Sequence, residues 1–122
     1  MGVRVHKNFF NGLSEALADI AKDQYWPTTL ISEPTPPPPP VHWHDCEAHG
    51  YVMSGSTWIL DGATGERLTI EPGDKLVIPA GALHIEGQGN ETVVYIVAIP
   101  EARSYADAFR LLPADDPSRP QG

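Results

Sequence analysis

The chain has 122 residues, enough for one domain and too few for two. Its formal charge of −8, from eight Lys and Arg against sixteen Asp and Glu, argues against nucleic acid or an anionic membrane as a partner, since both are bound through basic clusters. A single cysteine, Cys46, excludes an intrachain disulfide and suits a reducing compartment; with no signal-type segment near Met1 and no apolar run of eighteen residues, the expected location is the cytoplasm.

Taken in chain order, a short extended lead at Val3 to Val5 precedes an amphipathic helix. Asn11 is its expected cap, and Leu13, Ala16, Leu17, Ile20 and Ala21 follow the i, i+3, i+4, i+7 rule of a buried face. Trp26-Pro27 should end it, because the residue before proline avoids the α region, and the β-branched content of Thr28 to Ser32 predicts a strand. Pro34 and Pro36 to Pro40 fit neither a helix nor a central strand. They read as a stiff polyproline II spacer leading into the next strand, in preference to an exposed ligand for an SH3-type groove.

The stretch from Val41 to Gly55, VHWHDCEAHGYVMSG, holds three of the five histidines within eight residues. In a strand, residues two apart share a face, so His42 and His44 aim both imidazoles into one cavity while Trp43 faces away. Strands are then expected at Tyr51 to Ser54, Thr57 to Asp61, Glu66 to Ile70 and Lys75 to Ile78. A turn at Asp61 to Gly65 and a type II turn at Glu71-Pro72-Gly73-Asp74 separate them. Pro79-Ala80-Gly81 breaks the chain so that a bend presents His84, and Thr92 to Ile99 reads as a strand buried on both faces. Ser104 should cap a helix through Leu112 with Tyr105, Ala108 and Phe109 on one side, and Pro113 to Gly122 has the composition of a frayed tail.

The two histidine stretches resemble the paired motifs of the cupin superfamily. His42-x-His44 with Gly55 stands for the first, and Gly73, Pro79, Gly81 and His84 match every main position of the second, with Gln88 where Asn is usual. The resemblance covers Val41 to Ile99. It implies a mainly β fold, an antiparallel β-barrel or jelly roll, flanked by a short N-terminal and a short C-terminal helix. The expected division is residues 1–40 as helix, strand and proline-rich lead-in, 41–100 as barrel core, and 101–122 as helix and tail, one domain in all.

The resemblance also implies a divalent transition metal (Zn, Fe, Ni, Mn or Cu) held by His42, His44 and His84. It departs from the family at one place: the position of the usual glutamate ligand falls on Ala48, which cannot coordinate. Its neighbours His49 and Glu47 are the alternatives for a fourth ligand, His49 favoured as the stronger transition-metal donor, although strict alternation points both away from the cavity.

Cys46 is a further donor or an ordinary thiol, and Asp45 and Glu47 either orient the histidines or are solvated. Tyr51, Trp58 and Tyr95 are expected to line a substrate pocket or to fill the core. Two functions stay open. One is a metal-dependent enzyme of the dioxygenase or isomerase type acting on a small molecule; the other is a non-catalytic small-ligand-binding or sensor protein. A homodimer is expected, because an open sandwich leaves edge strands to be covered.

Overall fold

A computed structural model describes residues 2–32, 40–87, 91–108 and 110–119. Among them the elements run β1 (Arg4–His6), α1 (Gly12–Asp23), β2 (Trp26–Ser32), β3 (His42–Trp43), β4 (Ala48–Ser54), β5 (Thr57–Asp61), β6 (Arg67–Ile70), β7 (Lys75–Ile78), β8 (His84–Glu86), β9 (Val93–Ile99), α2 (Tyr105–Ala108) and β10 (Leu112–Pro113). The strands form two antiparallel sheets, ordered β1-β7-β4-β9-β2 and β10-β3-β8-β5-β6, in a mainly β jelly-roll arrangement. Most of the expected proline run, Gln88 and Phe109 lie outside the described residues. No described helix is long and apolar enough to cross a membrane.

Two-residue alternation decides which side chains meet. In β4, Ala48 and Val52 turn inward to the main core with Ile59 and Ile70 of the facing sheet. The alternate residues His49 and Tyr51 turn outward: Tyr51 joins Phe10, Ala16, Ile20 and Ala98 in a second cluster under α1. Ala16 and Ile20 are the buried face of that helix, while Leu13 and Leu17 of the expected stripe remain exposed. Burying the Ile20 side chain contributes about 1.5–3 kcal/mol. Polar bonds fix the helix in place, since the Asp19 carboxylate accepts from the Tyr51 hydroxyl and the Lys75 ammonium on the sheet below.

Several boundaries differ from expectation. Asn11 makes no side-chain cap; its backbone N–H instead donates to Glu15 Oε1 at 2.9 Å. Gln24, in the left-handed region at φ 60°, ends the helix, and β2 begins at Trp26 with Pro27 inside it. That proline is tolerated because β2 is an edge strand, where a missing N–H leaves no ladder partner unpaired. Ser104 does cap α2, accepting from the Asp107 N–H at 3.2 Å, and the described helix spans Tyr105–Ala108. The chain then turns back to lay β10 against β3, and residues as far as Arg119 are tied in by Arg119 Nε donating to the Gly81 carbonyl at 2.8 Å. Of the expected frayed tail, Pro113 lies in β10.

Two turns need glycine. Gly55 has φ +80°, and a Cβ there would fall 2.2 Å from the Thr92 carbonyl oxygen. Gly73, at φ +93°, completes the type II turn that the Asp74 N–H closes onto the Glu71 carbonyl at 3.0 Å. The Asp74 carboxylate, 2% exposed, accepts from the Asn8 N–H at 3.0 Å, the Glu71 N–H at 2.8 Å and the Lys7 ammonium. Burial alone would raise its pKa, but these donors outweigh burial and hold it below the usual carboxylate value. A pKa depressed on folding stabilises the fold above the unfolded value and loses that contribution as pH falls through the folded one. Asp74→Ala should therefore lower the unfolding free energy by about 1–3 kcal/mol at pH 7. In urea titrations the gap between wild type and variant should narrow below about pH 4.

Candidate metal centre

β3 and β8 are neighbours in the second sheet, with His42 directly opposite His84, and His44 follows one residue after β3. Pairing and alternation together bring three imidazoles to one point, their ring centres 4.6–5.1 Å apart. All three are buried. A fourth group joins them: Glu86, two residues beyond His84 on β8, reaches the same point, and the ligating atoms of His42, His44, His84 and Glu86 lie within 4.8 Å of one another.

Each ring is anchored from behind by a backbone carbonyl. Nδ1 of His42 bonds Pro40 O at 2.7 Å, that of His44 bonds Arg110 O at 3.1 Å, and that of His84 bonds Ala82 O at 2.8 Å. A carbonyl only accepts, so the neutral rings carry their proton on Nδ1 and direct the Nε2 lone pair at Glu86. The separations from the carboxylate are 2.6, 3.1 and 2.9 Å for His42, His44 and His84. Three lone pairs and an anion at such distances repel unless a cation lies among them. The buried His42 Nε2 has the Glu86 carboxylate as its one close neighbour among the described residues.

Without a metal, protons fill that role. Burial lowers the His42 pKa, but the Glu86 contact and charge more than offset it and raise it above the ordinary value. Desolvation of Glu86 is likewise outweighed by the three imidazoles, which hold its carboxyl well below the usual range. A divalent ion satisfies all four donors at once, with carbonyl-anchored imidazoles as its nitrogen ligands. The group can thus hold a metal ion. The Glu86 side chain keeps 39% of its surface accessible against 3% or less for the imidazoles, and so marks the open side.

The expected fourth ligands lie elsewhere. His49 shares the outward face of β4 with Tyr51; its Nε2 lies 2.7 Å from Glu47 Oε2, and its ring stacks on Tyr25 at 4.4 Å. The Tyr25 hydroxyl donates to the same Glu47 oxygen at 3.1 Å, so Glu47 orients His49 and none of the three converging histidines. Asp45 is likewise no orienter of them. Its carboxylate pairs with Arg103 at 2.8 Å, and that bond holds its pKa down. Cys46 is buried in the main core, its thiol 3.7 Å from the Ala108 carbonyl and its pKa raised by burial. The residue that sequence reasoning missed is Glu86, although its signal was available: His84-x-Glu86 obeys the same two-residue rule as His42-x-His44.

Beside the group, between the sheets, is a cavity of about 90 Å³ lined almost wholly by apolar side chains, with His44 and Glu86 at one end. Tyr95 lines it, its pKa pushed up to about 12 by burial and by the Glu86 charge. Trp58 borders it, its indole under the Arg67 guanidinium 3.9 Å from the ring centre. Tyr51 does not reach the cavity, being bonded to Asp19 beneath α1.

No protein-family model matches the sequence, and no curated protein matches it. Solved structures do match in fold. A DUF861 family protein from Thermotoga maritima superposes with a TM-score of 0.57 at 18% identity, over 80% of this chain and 98% of its own. Acireductone dioxygenase from Bacillus anthracis, with a cadmium ion in its active centre, gives 0.58 at 22% identity, over 73% of this chain and 60% of its own. The chain has the cupin fold. The polyketide cyclase RemF from Streptomyces resistomycificus gives 0.51 at 23% identity, over 68% of this chain and 64% of its own. This chain thus spans under two thirds of the cyclase and the dioxygenase. Within this cupin fold the inward position on β4 is Ala48, and the carboxylate comes from β8.

Glu86→Ala should weaken zinc or cobalt affinity by 10-fold or more, the lower range for disturbing even a ligand's supporting partner. His49→Ala and Glu47→Ala should leave it within about twofold. Competition titrations against a chromophoric chelator separate the two sets.

Proposed function

We propose that the protein binds a divalent first-row transition metal through Nε2 of His42, His44 and His84 and the Glu86 carboxylate, and acts as a metal-dependent enzyme on a small molecule. The observation that carries this reading is the set of three carbonyl-anchored imidazoles whose lone pairs converge on one carboxylate, with the His42 Nε2 otherwise unpartnered. Three nitrogens and one oxygen suit Zn, Fe, Ni, Mn or Cu and do not choose among them. Four protein donors leave positions for substrate on an ion that takes more than four ligands, and the bound ion would supply Lewis acidity or oxygen chemistry.

The chain's own residues do the rest. The carbonyls of Pro40, Ala82 and Arg110 hold the ring planes, Glu86 neutralises one unit of the ion's charge, and the apolar walls exclude water from the reacting groups. Between the dioxygenase and isomerase types, the lining favours the former. Apart from His44 and Glu86, its lining among the described residues offers only the Tyr95 hydroxyl as a proton-transfer group, whereas an isomerase moves a proton between carbons and needs a base free of the metal. The cadmium in the active centre of the structurally similar acireductone dioxygenase agrees with this reading. The alternative, a ligand-binding protein without turnover, uses the same centre and predicts tight small-molecule binding with no product.

Protein purified without chelators should contain close to one equivalent of metal by elemental analysis, and His84→Ala should lose it. Occupancy should fall as pH drops through about 6.5, because protons compete for the imidazole lone pairs. Full retention of metal in the triple His42, His44, His84→Ala variant would sink the proposal. Oxygen-electrode assays of the iron-loaded protein with small candidate substrates distinguish the enzyme from the binding protein.

The same reading includes a homodimer. The edge strand β2 carries exposed Trp26 and Ile31, and α1 adds exposed Leu13 and Leu17. Light scattering should give about twice the 13.3 kDa chain mass, falling toward the monomer in a Trp26→Glu, Ile31→Glu variant.

A further inference from the structure

We propose that Ala48 and Gly50 shape a subsite for the apolar part of a small, uncharged ligand whose oxygen-bearing head faces His42, His44, His84 and Glu86. The position of the head rests on the metal-centre reading above; the apolar subsite does not. Both residues lie on β4, two apart, and both line the cavity, so the strand presents a methyl group and a bare backbone where larger side chains would fill the space. Ile59 and Ile70 close it from one sheet, and Leu76, Ile78 and Val97 from the other.

Among the described residues the lining includes no Lys or Arg, so a phosphate or sulfate group would be buried there without a countercharge from them. Sugar phosphates and nucleotides are thereby disfavoured. At about 90 Å³ the cavity is smaller than the roughly 150 Å³ apolar cavity that takes up benzene, so it admits a short alkyl chain or a small ring. Gly50 sets the limit. A Cβ there would meet Leu76 Cβ at 3.6 Å and Tyr95 Cδ1 at 3.8 Å, ordinary contacts that the fold accommodates while the subsite shrinks.

Two probes test this on the full chain. The first is cyclopentane added to chelator-treated protein, read by methyl NMR. Ile59, Ile70 and Leu76 should shift, and Gly50→Ala or Ala48→Val should reduce the response. The second is a series of straight-chain hydroxamates, from acetohydroxamate to octanohydroxamate, titrated calorimetrically into zinc-loaded protein. Affinity should rise about fourfold per methylene until the subsite is full. In Gly50→Ala, hexanohydroxamate should bind about fourfold or more weakly while zinc content is unchanged. Methyl shifts with cyclopentane but no hydroxamate binding at any length would overturn the metal centre and uphold the subsite. A flat chain-length profile, tighter binding of glucose 6-phosphate than of hexanohydroxamate, or no methyl shifts would overturn the subsite.

Discussion

Three imidazole lone pairs and a carboxylate are brought together in this protein at distances where they would repel one another without a cation, and the rest of the architecture answers to that constraint. Desolvation makes the repulsion stronger than it would be in water, so the arrangement persists only if each ring is held from behind. The carbonyls of Pro40, Ala82 and Arg110 do this, and they come from three separate parts of the chain. The pairing of β3 with β8 sets two imidazoles opposite each other, and the Gly81 N–H, bonded to the His44 carbonyl at 2.9 Å, locks the bend before His84 to the end of the first histidine strand. The strands converge on the centre because these bonds leave them no other register.

Much of this is legible in the sequence, for a simple reason: the spacing of His42 and His44 and the turn chemistry of Gly73, Pro79 and Gly81 are local properties of the chain. The faces of β4 were legible too, since strict alternation already turned His49 away from the cavity. What misleads is the expectation of a fourth ligand beside Ala48, His49 in preference to Glu47, when strand pairing can deliver one from any neighbouring strand. Glu86 was visible by the rule applied to His42 and His44. Composition of the polar tail records neither the pairing of Pro113 with His42 nor the Arg119 bond to the Gly81 carbonyl.

The outward face of the same sheet shows how the acidic chain stores its charge. Asp19, Asp23 and Glu47 gather around Lys75, Tyr51, Tyr25 and His49 beneath α1, where each carboxylate has a donor or cation within 4 Å. Two histidine-bearing clusters therefore lie on opposite sides of β4, one turned to the cavity and one to the helix. They differ in kind. The inner one has lone pairs converging on a carboxylate; in the outer one Lys75 supplies the positive charge beside Asp19 and Asp23, and the cluster clamps helix to sheet.

The carbonyl behind His44 belongs to Arg110, late in the chain, and the strand that borders His42 begins at Leu112. During synthesis on the ribosome, where chains emerge at about 5–20 residues per second, the first histidine pair is therefore exposed for several seconds before the segment that fixes it. In that interval the imidazoles are free to turn either nitrogen outward. Only when Arg110 and β10 dock are the ring of His44 and the edge beside His42 fixed, so the geometry of the centre is completed by the last part of the chain to be made.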